Sequence, residues 1–433
     1  MTTSVPHLTG NYAPVTEELT AYELPFTGTI PAELTGWYLR NGPNPHAAAS
    51  AHWFLGDGMV HGVRLEQGRA VSYRNRWVRT TTFTDGARVR DADGNLDLAA
   101  GLANTHVIRH AGRTLALVES SYPYELTCEL DTIGPYDFDG KLRTAMTAHP
   151  KTCPTTGELH FFGYDYTAPY LTYHCADAAG NLLVSRAIEV PAATMHHDFN
   201  LTAAHVVFMD LPVVFDLEVA KSGGGMPFRW RADYQARLGV LRRNDPRGAI
   251  RWFPIDPCYV FHTLNAHDEP GRIVVHVIRY PSLWRQDSDM SEQASLWRWT
   301  IDLVTGTVAE EQLDDRDAEF PRIDDRLAGL DSRFGHATVA GDSGALLRYD
   351  LHTGTSTAHE FGPGRIPAEA AFAPADDRPG GDGYLMTYVY NADTDRSDLV
   401  ILDASELAAP PVATIHLPAR VPYGFHGNWL SDK

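Results

Sequence analysis

The sequence predicts an all-β chain arranged as a propeller of six or seven four-stranded blades, and three observations lead there. Short apolar runs rich in β-branched residues recur along the chain, among them 114–118, 272–278 and 398–402, each bounded by Gly, Pro or Asp. Helical periodicity is scarce. Hairpin signals fall between the runs, as at Asp91-Ala92-Asp93-Gly94-Asn95 and Ala179-Gly180-Asn181. The pattern Asp-Leu-x-Thr-Gly occupies Asp302 to Gly306 and returns at Asp350 to Gly354, 48 residues on, about the length of one four-stranded blade. Two copies of common turn residues can also coincide by chance, and a β-sandwich is the competing fold. Length decides between them. A chain of 433 residues made of short antiparallel strands is hard to close into one sandwich and easy to distribute over six or seven blades.

No linker rich in Pro, Gly or Ser and no block of like charge divides the chain, so residues 1–433 read as one domain. Hydrophobic residues make up 43% and charged residues 21%, enough apolar material for a core without disulfide staples. The excess of 55 acidic over 36 basic residues gives a formal charge of -19, which repels phosphate backbones and argues against a nucleic-acid partner. Cys128, Cys153, Cys175 and Cys258 stand singly with no CxxC, so neither a thiolate metal site nor a disulfide framework is indicated, and a reducing cytoplasm fits. The N-terminus lacks a basic segment followed by an apolar run, and no window approaches the roughly 18 to 20 apolar residues that cross a bilayer. No phosphate-cradling Gly loop, G-x-S-x-G elbow or dinucleotide fingerprint is present, and Gly223-Gly224-Gly225 reads as a loop.

Of the 20 histidines, most sit beside turn or polar residues and need no functional explanation. Four share a different setting among small and apolar residues: His149 in Thr-Ala-His-Pro-Lys, His197 in Met-His-His-Asp-Phe, His262 in Phe-His-Thr-Leu-Asn, and His426 in Tyr-Gly-Phe-His-Gly-Asn-Trp. Their separations of 48, 65 and 164 residues exclude a finger-like metal clip, whose ligands come from one or two turns, and suit blades that each deliver one side chain.

With Arg40-Asn41-Gly42-Pro43-Asn44-Pro45, the run His52 to His61, Asn104-Thr105, Ala116-Leu117-Val118-Glu119, Glu319-Phe320-Pro321 and Glu369 to Pro374, these segments form an ordered set over residues 40–429. In that set the chain resembles the carotenoid cleavage oxygenase family, which includes stilbenoid-cleaving dioxygenases and a retinoid isomerase. The resemblance implies a seven-bladed propeller with loops and short helices capping one face. On its central axis one iron(II) per chain would be bound by His149, His197, His262 and His426. It further implies that Glu119, Glu319 and Glu369 support His197, His262 and His426, with no carboxylate for His149. The neighbouring His196 and His267 are not carried over; strand alternation points His196 away from its neighbour.

A physical argument runs beside the resemblance. Four neutral imidazoles leave a doubly positive ion uncompensated in a dry cavity, and a metal-bound His usually passes its other N–H to a carboxylate that fixes its tautomer. Imidazoles suit zinc, copper, iron and nickel alike. Iron(II) with open positions can reduce O2, whereas zinc cannot, and four protein ligands would close a tetrahedral zinc site.

The activity implied is oxidative cleavage of a C=C bond by O2 into two carbonyl products, with no catalytic residue beyond the metal centre. Aromatic neighbours of the ligands, Phe199, Phe261, Phe320 and Phe425, serve either an apolar tunnel or packing between blades. Stilbenoid cleavers of the family resemble one another in a Lys before the first supporting Glu and a Tyr about a strand earlier; here those positions are Val118 and Phe83. A carotenoid or apocarotenoid is therefore expected over a hydroxystilbene, with Phe83, Val118, Phe261 and Phe320 as tunnel residues. A non-oxidative isomerase and a non-catalytic binding propeller are the remaining alternatives. The chain is expected to be a cytoplasmic monomer or weak homo-oligomer, touching a membrane transiently if at all; 211–215 is the nearest candidate for an apolar patch and reads equally as a buried strand.

Overall fold

Residues 8–47, 50–222, 225–288, 291–339 and 344–432 are described by the structure, a computed structural model. The N-terminal heptapeptide, Gly223 and Gly224 lie outside them. The described residues form seven antiparallel sheets of four to six strands and one two-stranded ribbon. Among the described residues helix is confined to Thr81–Asp85, Leu217–Ser222 and a few single turns. No helix of the described residues is long and apolar enough to cross a membrane. The chain packs as two units, residues 1–136 with 336–433, and residues 137–335.

In the first unit the strands run in the order Thr20–Tyr22, Arg69–Trp77, Gly58–Glu66, Gly36–Pro43 and Gly427–Ser431, so the C-terminal strand completes the N-terminal sheet. A second sheet follows in simple up-and-down order from His106–His110 to Thr132–Pro135, and a third is centred on Gly383–Asn391 and Arg396–Asp403. Alternation along Gly36–Pro43 explains their stacking. Trp37 and Leu39 pack with Val107, Ala116 and Tyr124 of the second sheet, while Tyr38 packs with Met386, Tyr388 and Ile401 of the third. Each such fully buried side chain contributes roughly 1.5–3 kcal/mol relative to exposure.

The second unit carries three four-stranded sheets, beginning at Lys151–Thr152, Asn200–Leu201 and Thr263–Glu269. Phe162, Tyr173 and Cys175 of the first of these pack with Phe199, Phe208 and Leu241 of the next. The seventh sheet starts at Ala318–Arg322, and the unit boundary falls within its next strand, Phe334–Val339.

The repeated Asp-Leu-x-Thr-Gly pattern marks the same place in two consecutive sheets, the turn between the third and fourth strands. The Asp302 carboxylate accepts the amides of Val304 and Thr305, the Asp350 carboxylate those of His352 and Thr353, and Gly306 and Gly354 both take the left-handed backbone. The repeat is thus a blade repeat and not a coincidence. Asp177 builds the corresponding turn in an earlier sheet, accepting from Ala179 and Asn181. Of the two readings of 211–215, a membrane-facing patch or a buried strand, the structure has the second over Val213–Phe215, with Leu211 2%, Val213 0% and Val214 8% exposed and Phe215 half-buried.

Candidate metal centre

Three candidate ligands sit at the entry to the first strand of a sheet, and His426 directly precedes the C-terminal strand Gly427–Ser431. His149 lies two residues before Lys151–Thr152, His197 three before Asn200–Leu201, and His262 directly before Thr263–Glu269. Glu319 lies within Ala318–Arg322. A strand entry is where a backbone leaves a loop and becomes fixed by its ladder, so the side chain there is held from one side and open on the other.

In the second unit His149, His197 and His262 converge. Their ring nitrogens lie within 4.8 Å of one another, with Nε2 to Nε2 separations of 3.0 Å for His149 and His197 and 3.3 Å for His197 and His262. Nitrogens bound to one ion at about 2.1 Å are spaced about 3.0 Å at right angles and about 3.4 Å at tetrahedral angles, so the donor set fits a metal. The tautomer of His262 supports this. Its Nδ1 is 2.6 Å from Glu319 Oε2, and because an ionised carboxylate only accepts, Nδ1 carries the proton and Nε2 presents a bare lone pair. Glu319 is itself fixed by the Tyr280 hydroxyl at 3.1 Å and by the Phe320 amide at 2.6 Å. Phe320, which donates that amide, has a left-handed backbone, φ 54°, a conformation that costs a bulky residue about 1–3 kcal/mol. The same turn lays its ring on His262, centroids 5.5 Å apart.

Asp198 ties these strand entries together. Its carboxylate is 3% exposed and accepts the Lys151 ammonium at 2.8 Å, the Phe199 amide at 2.7 Å, and both the amide and hydroxyl of Thr263 at 3.0 and 3.1 Å. Thr147 adds a further tie, its hydroxyl accepting from the His149 amide at 3.1 Å and donating to the His197 carbonyl at 3.2 Å. A cavity of about 90 Å³ opens beside them, lined by Lys151, Asn200, Thr263, Asn265 and Arg322.

In the first unit His426 repeats the His262 arrangement. Its Nδ1 is 3.0 Å from Glu369 Oε1, and the other carboxylate oxygen accepts the Gly427 amide at 2.6 Å. Glu369 is 2% exposed and His426 4%. Three separated motifs meet here. The His426 amide donates to the Thr105 carbonyl, the Asn41 and Phe425 backbones exchange with those of His426 and Asn41, and buried Arg40 donates to the Pro422 carbonyl at 2.6 Å. The contact is so close that a Cβ on Gly424 would lie 1.6 Å from the Arg40 guanidinium, which is why the motif reads Tyr-Gly-Phe-His. Glu119 is half-buried just past Arg113–Leu117.

The other candidates divide by surroundings. Phe261 is buried and meets the His197 ring edge-on at 5.1 Å, and with Phe320 it makes the centre's apolar flank. Val118 is 7% exposed. Phe83 is half-buried on the helix Thr81–Asp85, against His46 and Trp77. Phe199 packs into the interior of its sheets, and Phe425 lies against Trp53 and Phe54. His196 is turned elsewhere, its ring nitrogens 2.8 Å from the Thr194 hydroxyl and 3.1 Å from the Met209 carbonyl. Sequence reasoning missed Asp198, Tyr280 and Thr147. Only the adjacency of Asp198 to His197 could have drawn attention to it.

Comparison with known proteins decides the family. The family model described as retinal pigment epithelial membrane protein matches residues 12–431. The chain belongs to this family. A carotenoid cleavage oxygenase of Mycobacterium tuberculosis is 41% identical over 98% of this chain and 97% of its own length. Among solved structures, the lignostilbene dioxygenase of Pseudomonas brassicacearum aligns with a TM-score of 0.88 at 31% identity, covering 99% of this chain and 98% of that one. Cobalt-substituted Synechocystis ACO aligns with a TM-score of 0.85 at 29% identity, covering 96% and 97%. With seven sheets in chain order, these likenesses give the fold of this retinal pigment epithelial membrane protein family member as a seven-bladed β-propeller.

Proposed function

We propose that the protein is a non-heme iron(II) dioxygenase that cleaves a C=C bond of a carotenoid or apocarotenoid with O2, giving two carbonyl products. The carrying observation is the convergence of the His149, His197 and His262 nitrogens at 3.0 and 3.3 Å, with the Nε2 lone pair of His262 freed by Glu319. We assign His426 as the fourth ligand; its pairing with Glu369, which copies that of His262 with Glu319, supports this. Glu119 is assigned to His197 by its place in the family motif. The match over residues 12–431 supports reading the chain as a single oxygenase domain.

Held there, iron(II) would serve to activate O2, while the two alkene carbons give up the four electrons that turn both oxygen atoms into carbonyl oxygens. The chain's own residues have simpler tasks. Glu319 and Glu369 hold the Nδ1 protons and aim the opposite nitrogens. Phe261 and Phe320 keep water from the imidazole edges, and with Val118 and Phe83 they are assigned to the path of an apolar substrate.

A second reading, cleavage of a stilbenoid, is favoured by the structural likeness to the lignostilbene dioxygenase. Val118 and Phe83 weigh against it, since neither can bind a phenol hydroxyl. Purified protein loaded with iron(II) and supplied with O2 should convert a carotenoid or apocarotenoid into two aldehydes or ketones, identified by mass spectrometry. Turnover of a hydroxystilbene alone selects the second reading, and a protein that retains zinc and bleaches no polyene or stilbene overturns both.

A further inference from the structure

We infer that Asp198 is a positioning residue that sets the spacing of the metal-binding imidazoles, acting through the strand entries that carry them. The inference rests on the proposed metal site. An ionised carboxylate offers about four acceptor positions, and here four donors fill them: Lys151 Nζ, Phe199 N, Thr263 N and Thr263 Oγ1. Those donors come from three segments, and each segment carries one converging histidine. Lys151 stands two residues after His149, Phe199 two after His197, and Thr263 one after His262.

Position in the chain makes this more than a structural bond. The Nε2 separations of 3.0 and 3.3 Å among the His149, His197 and His262 rings depend on where their three backbones stand, and a group bonded to all three segments fixes that. Glu319 orients one ring about its own axis; it has no bond to the His149 or His197 segment among its recorded partners, Tyr280, Phe320 and His262. Asp198 spans all three. Replacing it with Asn turns one oxygen into a donor facing either Thr263 or the Lys151 and Phe199 pair, and so frees one segment from the other two.

Cobalt(II) titration of the whole chain, followed by its visible absorption, reads both affinity and ligand geometry. In Asp198→Asn the dissociation constant is expected to rise about 10–100-fold, the usual effect of losing a group that orients ligands, with shifted absorption bands. Thr263→Val keeps the amide bond and the side-chain shape, and should raise the constant about 3–10-fold, the worth of one hydrogen bond. It also decides the matter if Asp198→Asn does not fold. Asp198→Asn combined with Lys151→Met should stay as weak as Asp198→Asn alone. Recovery of parental affinity in that pair, which would trace the loss to an orphaned ammonium, overturns the inference, as do parental affinity and bands in both Asp198→Asn and Thr263→Val. Full cobalt binding by His262→Ala instead removes the metal site itself, and Asp198 with it.

Discussion

Two groups of side chains in the second unit use the same materials to opposite ends. His149, His197 and His262 form one; Glu158, His160 and Cys175 form the other. In the second, Arg243 donates to Glu158 at 2.9 Å, so the positive charge is built into the chain. Burial pushes the Cys153 thiol up, but hydrogen bonds from Thr155, Thr156 and Arg243 outweigh it and bring it down to about 6. His160 Nδ1 is 2.7 Å from the Tyr173 hydroxyl, and burial with Arg243 holds the ring down at about 4, against the pull of Glu158. No cation is lacking there. Around the first group stand a carboxylate on His262 and aromatic rings, and the converging nitrogens have the spacing of ligands to one ion. Residue type alone does not mark a candidate metal site; the charge already beside it matters too.

Removing a proposed ligand gives the largest effect. His262→Ala should lower metal occupancy to below about one tenth and abolish O2-dependent cleavage, measured by elemental analysis and product formation on the same sample. His160→Ala, the matching change in the other group, should leave occupancy at one metal per chain. Equal metal loss in both variants would erase the distinction drawn above.

Next comes the carboxylate that fixes the tautomer. Glu319→Gln keeps shape, yet a carboxamide can donate to His262 Nδ1 and so favour the wrong tautomer. Metal affinity should fall about 10–100-fold with an unchanged thermal midpoint in the metal-free protein. A drop in stability without loss of affinity would make Glu319 a packing residue.

Arg243→Met probes the opposite group. Arg243 is only 11% exposed at its side chain and also donates to the Thr202 carbonyl at 2.9 Å, so the loss is expected to cost about 1–3 kcal/mol of unfolding free energy. The Cys153 thiol should titrate above its value of about 6, seen as thiolate absorbance against pH. Metal content should not change.

How much of this could be read from residues alone depends on the distance over which each feature acts. Strand runs, hairpin turns and the Asp302 and Asp350 repeat are local, and periodicity reveals them. The proposed ligands and Glu319 were legible through their immediate neighbours, as family motifs. Asp198 was not, because its meaning lies in a bond to Thr263, 65 residues away, and such pairing is set by how the sheets stack. The left-handed turn at Phe320 was hidden for a related reason: nothing in Glu-Phe-Pro shows that the Phe320 amide must reach the preceding carboxylate. The 211–215 run stayed ambiguous because an apolar run has the same sequence whether it faces a membrane or a neighbouring strand.

The smallest effect concerns acid. His160 has a pKa of about 4 in the folded chain against an ordinary value near 6.5 when unfolded. The folded state therefore favours the neutral ring. Its contribution is fully present above about pH 6.5 and is lost as pH falls toward 4, because over that window the unfolded chain binds the extra proton. Between pH 6 and 5 one such histidine changes the unfolding free energy by about 1 kcal/mol. His160→Gln should flatten the pH dependence of the denaturation midpoint by that amount, with both proteins measured free of metal. An unaltered slope would mean that His160 is solvated enough to protonate in the folded state. The contrast between the two groups would then rest on Arg243 alone.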